Sequence, residues 1–118
     1  MILVDTSVWI DHLRVADRRL AALLLDEQVL SHRFIVGEIA CGALRRRSEV
    51  LALLRNLPHV APVGDDEAMA FVEAHALAGS GVGWVDVHLL ASTYLSGDRI
   101  WSKDRPLLRA AQRLGIAA

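Results

Sequence analysis

Very short apolar runs alternate with longer segments of helical period, and this alternation restricts the fold of the chain more than any other feature. Residues 2–4 are typical of a buried parallel strand, and residues 29–30 and 99–102 are two further strand candidates. Between them, apolar side chains recur at every third or fourth position, as they do on one face of a helix. The alternation predicts an α/β fold, a three-layer α/β/α sandwich around a short, mostly parallel sheet.

Residues that favour helix ends set the expected bounds of the helices. Ser7 is the predicted cap of the first helix, Asp104 starts the last one, and Gly115 ends it. A weaker strand is expected over residues 60–63, where Pro62 would confine it to an edge of the sheet. The predicted helices span residues 7–13, 18–25, 34–44, 49–57, 65–78, 84–95 and 104–114.

Length and composition predict a single domain over residues 1–118. Hydrophobic residues make up 53% of the 118 positions, which suits one compact core and leaves no room for a second. No apolar stretch approaches the roughly 18 residues that cross a membrane, and no basic leader precedes Asp5. The lone Cys41 cannot close a disulfide within the chain. We therefore expect a cytoplasmic protein with no membrane association.

Glu38 is the acidic residue whose surroundings most need an explanation. On a helix, the side chains three and four positions away from it are all uncharged: Phe34, Ile35, Cys41 and Gly42. An ionised carboxylate on such a face costs several kcal/mol of desolvation unless it is paired or bound to metal. The alternative is a Glu at the edge of the apolar stripe that reaches water or pairs with Arg33 or Arg45.

Three aspartates occupy comparable positions. Asp86 lies near the start of a predicted helix among apolar neighbours, and Asp5 and Asp104 each lie where a strand passes into a helix. Each has a structural alternative, because an Asp in the first turn or at the cap stabilises a helix without any catalytic role. In a parallel sheet, however, the carboxyl ends of neighbouring strands meet at one edge, so these acids are expected to converge with Glu38.

Convergence of four carboxylates would require a cation. Two carboxylates about 5 Å apart repel by roughly 3 kcal/mol at an effective dielectric constant near 20, so the group must bind a proton or a metal. Oxygen ligands favour Mg²⁺, with Mn²⁺ as a substitute. Zinc is not expected, because there is no second Cys and the five His residues form no helical metal-binding pair.

Net charge alone argues against a strongly electrostatic nucleic-acid binder. The chain has 13 basic and 14 acidic residues, a net charge of −1. If four acids share one metal-filled pocket, the rest of the surface is net positive. Binding of a polyanion is then compatible with the composition.

Four short motifs occur in order along the chain: Val4-Asp5-Thr6-Ser7, Val36-Gly37-Glu38-Ile39, Gly83-Trp84-Val85-Asp86 and Trp101-Ser102-Lys103-Asp104-Arg105. Their order and spacing resemble those of the PIN-domain ribonucleases, and more narrowly those of the VapC toxins of toxin–antitoxin pairs. The resemblance extends from Ile2 to Ile116. In the fourth motif Ser102 stands where the family commonly has Thr, a change that keeps the hydroxyl group.

The resemblance implies roles for the residues in these motifs. Asp5, Asp86 and Asp104 would bind Mg²⁺, and Glu38 would complete the acidic pocket directly or through water. Supporting polar residues would be Thr6, Ser7 and Ser102. It also implies cleavage of RNA, a homodimer, and an antitoxin partner whose tail can occupy the acidic pocket.

Contacts to the RNA backbone are expected from basic side chains next to the acidic pocket. Lys103 and Arg105 flank Asp104 and are the first candidates. The three tryptophans, Trp9, Trp84 and Trp101, could stack on unpaired bases, but packing in the core or an interface is the favoured explanation.

Two other functions compete with that of a metal-dependent endoribonuclease. A catalytically silent PIN-like module would bind RNA or protein without hydrolysis, and only a cleavage assay separates it from the enzyme. A phosphoacceptor signalling domain also uses carboxylates and Mg²⁺ at strand ends. That class has an acidic pair after the first strand, whereas Asp5 is followed by Thr6.

Overall fold

Three parallel strands form the central sheet of the computed structural model, which describes residues 1–118. They are β1 (Ile2–Val4), β2 (Val29–Leu30) and β3 (Arg99–Trp101). The sheet order is β2-β1-β3, with Ile2 of β1 opposite Val29 on one side and Arg99 on the other. Isolated bridges from Ser31 to His59 and from Ile100 to Ala117 extend the two edges.

Both faces of the sheet are covered. Successive side chains on a strand point to opposite faces, and the neighbours Leu3 and Val4 are both 0% exposed. Val29, Leu30 and Ile100 belong to the same core cluster. Burial on both faces is why β1 and β2 are apolar at every position, whereas β3 begins with the exposed Arg99. The predicted three-layer α/β/α class is confirmed.

Seven helices surround the sheet. In α6, residues 87–93 are buried without interruption, so this helix lies inside the core. The others carry apolar residues mainly on one face. The bounds are α1 (Thr6–Arg14), α2 (Arg18–Leu25), α3 (Arg33–Ala40), α4 (Arg47–Asn56), α5 (Asp65–Ala74), α6 (Trp84–Ser96) and α7 (Arg105–Arg113). No helix has the length and apolar character required to cross a bilayer.

Some predicted bounds in the middle of the chain were wrong. α3 was expected to continue to residue 44, but it ends at Ala40, and a turn closes with the amide of Gly42 donating to the carbonyl of Ile39 (3.1 Å). Arg46 has a left-handed backbone with φ of 51°, and Arg47 begins α4. Because Arg47 donates to the Ala40 carbonyl (3.0 Å), it ties the two helices together.

Two further expectations fail for local reasons. Residues 60–63 form no strand, and only His59 pairs with the edge of the sheet, because Pro62 has no amide hydrogen to donate. α5 ends at Ala74 rather than near residue 78, because Ala76 adopts φ of 51° and turns the chain. The turn brings Leu77 into the core, where it is 2% exposed.

β1 lies at the point where the chain reverses its direction across the sheet. From β1 the chain passes through α1 and α2 to β2 on one side, and then through α3 to α6 to β3 on the other. In open parallel sheets, ligands bind beyond the carboxyl ends of the strands at such a point. Asp5 directly follows β1, and Ser102 directly follows β3, so both lie at this edge.

Candidate active site

Asp5 is buried at the carboxyl end of β1, with 6% of its surface exposed. It is also the N-cap of α1, a position that had been predicted for Ser7, and its side chain accepts from the Ser7 amide (3.4 Å). Oδ2 accepts two further hydrogen bonds, from Ser7 Oγ (2.7 Å) and Ser102 Oγ (2.8 Å). Since Oδ1 accepts none from the protein, it is the oxygen that is free to bind a cation.

The two serine hydroxyls join the loops after β1 and β3. Ser7 Oγ accepts from the amide of Lys103 (2.9 Å), and Ser102 Oγ accepts from the amide of Asp104 (3.0 Å). Each hydroxyl thus donates its proton to Asp5 and accepts from a backbone amide. For Ser7 the amide lies in the loop after β3, and for Ser102 it lies in the same loop. The predicted supporting role of Ser7 and Ser102 therefore has a geometric basis: they orient Asp5.

Asp104 is the N-cap of α7 and lies at the exposed side of the pocket. Its Oδ2 accepts from the amide of Leu107 (3.1 Å). Capping uses one oxygen of this carboxylate, and Oδ1 accepts no hydrogen bond from the protein. Asp104 can therefore cap α7 with Oδ2 and still offer Oδ1 to a metal. The two roles considered for it from the sequence do not exclude each other.

Glu38 projects from α3 toward the start of α1. Its Oε1 accepts from Thr6 Oγ1 (3.0 Å), which is the supporting contact expected of Thr6. Burial raises the pKa of Glu38, the nearby charge of Asp5 raises it further, and the Thr6 hydroxyl opposes both. Neither Arg33 nor Arg45 forms an ion pair with it. Pairing with one of these arginines is therefore excluded, whereas the other alternative, a Glu that reaches water, agrees with the exposure of Glu38.

Asp86, in the first turn of α6, is the most perturbed carboxylate of the four. Burial raises its pKa from 3.8 to about 6, and the charges of Asp5, Asp104 and Glu38 act in the same direction, while the Gly83 amide opposes them. The other three acids therefore lie close enough to Asp86 for their charges to act on it. Such proximity is what the predicted grouping of the four acids at one edge of the sheet requires.

The donor set fits a hard divalent cation. All four side chains offer oxygen, none forms an ion pair with Lys, Arg or His, and their mutual repulsion would fall on binding positive charge. As they stand, no three acidic or His side chains are close enough to coordinate one ion. Mg²⁺ does not need such a cage, because it keeps several waters and uses one or two protein carboxylates.

The two basic candidates flanking Asp104 differ in their surroundings. Lys103 Nζ lies 2.9 Å from Asp11 Oδ2 and 4.0 Å from Asp17 Oδ2, beside a cavity of about 390 Å³ that these three residues help to line. Arg105 is exposed and forms no ion pair or side-chain hydrogen bond. Lys103 is therefore partly neutralised, whereas Arg105 remains available to an anion.

Two of the five histidines, His32 and His88, are buried. His32 Nδ1 accepts from the amide of Phe34 (3.0 Å) and caps α3, and burial lowers the pKa of His32 to about 4. His88 is 0% exposed, with Nε2 lying 3.2 Å from Asp65 Oδ1. The position of His32 just before a helix was the only sequence signal that could have indicated its role.

The tryptophans do not share one environment. Trp9 is 1% exposed and belongs to the core, as expected. Trp101 is half-buried, with the guanidinium of Arg19 lying 4.4 Å from its ring centre. Trp84 is 44% exposed and packs its edge against His88, so packing within this chain covers only part of it.

Comparison with known proteins identifies the family. Residues 2–113 match the PIN domain family. Two proteins of Mycobacterium tuberculosis strains, both named Ribonuclease VapC32, are 45% identical to the chain over 118 residues, which is 99% of this chain and 95% of each relative. The chain therefore belongs to the PIN-domain family, as its four motifs predicted, and within that family it is similar to VapC-type ribonucleases.

Proposed function

We propose that this protein is a metal-dependent endoribonuclease and the toxin of a type II toxin–antitoxin system. The observation that carries the proposal is a group of four carboxylates, none paired with a basic side chain, in which the pKa of Asp86 is raised to about 6. Such a group favours binding of a divalent ion over stability of the fold. The 45% identity to proteins named as ribonucleases supports RNA as the substrate.

Asp5, Asp86 and Asp104 would hold Mg²⁺, in part through the water ligands of the ion, and Glu38 would act directly or through water. A bound Mg²⁺ supplies a Lewis acid that makes water a better nucleophile and neutralises charge on the phosphate during in-line attack. Ser7 and Ser102 hold Asp5 so that Oδ1 faces the pocket. Hydrolysis of this type leaves a 5′-phosphate and a 3′-hydroxyl.

An RNA cleavage assay tests the proposal. The purified protein is incubated with RNA and Mg²⁺ or Mn²⁺, with and without a chelator, beside the Asp5→Asn variant and the matched control Asp66→Asn. Asp66 is exposed on α5 and forms no ion pair. We expect metal-dependent cleavage that is lost in Asp5→Asn and retained in Asp66→Asn. RNA that is bound but left intact by the wild-type protein would instead indicate the silent PIN-like module.

An apolar groove next to Glu38 is the proposed site of the antitoxin. It has a volume of about 510 Å³ and passes between α1 and the turn after α3. The lining includes Arg14, Arg45 and Glu38 together with the apolar Ile10, Leu13, Ile39 and Leu44. The partner segment that fits this lining is amphipathic, with apolar residues for the groove and acidic residues for the two arginines. From there its tail would reach the acidic pocket.

Substitution of Ile10, which is 47% exposed in this groove, separates antitoxin binding from catalysis. We expect Ile10→Glu to cleave RNA at the wild-type rate and to escape inhibition by the cognate antitoxin. Inhibition equal to that of the wild-type protein would place the antitoxin elsewhere.

A homodimer acting in the cytoplasm completes the proposal. The packed pair α5 and α6 leaves Met69, Tyr94 and Leu95 from 41% to 61% exposed, which supports an apolar contact between two copies. Sedimentation of the wild-type protein and of Leu95→Glu tests this contact. Among the basic residues near Asp104, we favour Arg105 over Lys103 for binding the RNA backbone, since Lys103 is already paired.

A further inference from the structure

All charged side chains of α7 are arginines, and they lie on one face. Arg105, Arg109 and Arg113 are spaced four residues apart, so that they follow one another along the helix in steps of about 6 Å. We call these three residues the α7 arginine row. Residues 105–118 contain no acidic residue. Like charges at this spacing destabilise a helix, so the row lowers the stability of α7.

The three guanidinium groups have no partner within the protein. All three side chains are exposed, and none takes part in an ion pair, a side-chain hydrogen bond or an aromatic contact. Arg19 and Arg33, by contrast, lie over the rings of Trp101 and Phe34. Near the C-terminus of α7, Arg113 is favoured by the helix dipole, but Arg105 is at the N-terminus, where the dipole disfavours positive charge.

A shallow trough runs beside the row. It has a volume of about 260 Å³ and lies between α7 and the loop after α5. Arg109 and Arg113 line it, together with the small residues Ala76, Ala78, Gly79, Ser80 and Ala110. There is no carboxylate in this lining and no large apolar side chain. A protein segment would find no hydrophobic anchor there, whereas a chain of phosphates would find two arginines.

The inner end of the row reaches the acidic pocket. Asp104 caps α7 directly before Arg105, and Gly81 approaches Pro106 so closely that a Cβ at Gly81 would lie 3.3 Å from the Pro106 Cβ. Two residues further on, Gly83 caps α6, whose first turn carries Asp86. The loop that forms one wall of the trough therefore also delivers one of the carboxylates.

We propose that the α7 arginine row binds successive backbone phosphates of the RNA strand on one side of the scissile bond, with Arg109 and Arg113 holding the phosphates furthest from the pocket. This inference rests on the proposed ribonuclease function and adds the path of the substrate to it. The repeat along the helix matches one phosphate per nucleotide, and phosphate contacts position a strand without reading its sequence. The row makes the enzyme favour RNA that extends past the cleavage site.

Kinetics on two substrates test the row. The double variant Arg109→Gln/Arg113→Gln is compared with Arg55→Gln/Arg99→Gln, which removes the same charge from the end of α4 and the start of β3. On an oligoribonucleotide that extends past the pocket, we expect the row variant to raise KM about tenfold with kcat within about twofold, and the control to change neither. On a dinucleotide that spans only the scissile bond, both variants should equal the wild-type protein.

Salt dependence of binding provides a second readout that needs no cleavage. In an Asp5→Asn background, loss of two phosphate contacts should reduce the slope of log Kd against log salt by about 1.4, since each contact contributes about 0.7 on a single strand. The proposal would be overturned if the row variant had the same KM and the same salt slope as the control. It would also be overturned if the row variant cleaved RNA with wild-type kinetics but no longer bound an acidic antitoxin segment. Failure of the wild-type protein to cleave any RNA would count against the ribonuclease function, while the binding slopes would still test the row.

Discussion

Two clusters of carboxylates lie near each other in this protein, and they differ in how their charge is balanced. Asp11 and Asp17 share the ammonium group of Lys103, at 2.9 Å and 4.0 Å. In the acidic pocket, none of the four carboxylates has a cationic partner. The pKa of Asp17 is lowered, first by the amide of Leu20, whereas burial and neighbouring acids raise the pKa of Asp86 to about 6.

The difference separates acids that stabilise the fold from acids that do not. A carboxylate whose folded-state pKa is lowered adds stability in its charged form, and one whose pKa is raised subtracts it. Asp17 caps α2 and helps to hold the loop between two helices. Asp86 costs stability that the fold must supply from elsewhere, and such costs concentrate at functional sites.

The largest expected effect of this comparison is on catalysis. Asp86→Asn should lower the rate of RNA cleavage about 100-fold or more, because it removes a charge that would hold the proposed ion. Asp11→Asn should change the rate less than about threefold, since Asp11 only pairs with Lys103. Initial rates at saturating Mg²⁺ measure both. If both variants lost the same fraction of the cleavage rate, the two clusters would not differ in their role in catalysis.

The second effect concerns stability without metal, where the two substitutions should have opposite signs. At pH 8 in chelator, Asp86→Asn should raise the free energy of unfolding by about 1–2 kcal/mol, after allowance for solvent screening. Asp11→Asn should lower it by less than about 1 kcal/mol. Urea unfolding measures both values.

Measuring the free energy of unfolding at lower pH tests whether the charge of Asp86 causes this difference. The folded-state pKa of Asp86 lies above its ordinary 3.8, so its stabilising protonated form is complete below about 4 and is lost as pH rises through about 6. The advantage of Asp86→Asn over the wild-type protein should therefore shrink as pH falls from 8 to 4. If the difference in free energy of unfolding between Asp86→Asn and the wild-type protein did not change with pH, the ionisation of Asp86 would not be its cause.

Binding of Mg²⁺ gives a third, smaller test of the acidic pocket. Because the ion competes with the proton on Asp86, Mg²⁺ affinity should fall about tenfold for each pH unit below about 6 and be nearly constant above pH 7. Calorimetric titration at a series of pH values measures this. Affinity that stays constant down to pH 5 would mean that the ion does not displace a proton from Asp86.

The fourth prediction concerns the hydroxyl partner of Asp5. Ser102→Ala removes a donor to Asp5 Oδ2 and an acceptor for the Asp104 amide, and we expect about tenfold slower cleavage. Ser102→Thr, which keeps the hydroxyl group, should stay within about twofold. Ser48→Ala, at an exposed serine without a side-chain hydrogen bond, is the matched control. A Ser102→Thr variant as slow as Ser102→Ala would show that the hydroxyl group is not what matters.

The smallest effect is expected at Lys103. Lys103→Gln breaks an exposed ion pair and should cost less than about 1 kcal/mol of stability. It should raise KM for RNA less than Arg105→Gln does, because Lys103 is neutralised by Asp11 and Arg105 is not. Melting temperatures and steady-state kinetics of the two variants measure this. A larger rise in KM for Lys103→Gln would show that Lys103 leaves Asp11 to bind RNA.

Much of the fold followed from local pattern, and the failures have local causes. The strands at residues 2–4 and 29–30 and the helix ends at Asp26 and Gly97 were predictable, because apolar runs and capping residues act over a few positions. The early end of α3 and the turn at Ala76 were not predictable. Ala76 has no sequence signal for φ of 51°, and the turn forms because Leu77 gains burial in the core.

The amino-acid sequence by itself determined where each acid stands, at the end of a short strand or beside the apolar face of a helix, because strand and helix periods are local properties. Only the tertiary structure decided which charges are balanced. Ser102 reaches Asp5 across 97 positions and Thr6 reaches Glu38 across 32, while Lys103 turns away to Asp11. These pairings depend on distances through space, and electrostatic energy follows such distances rather than separation along the chain.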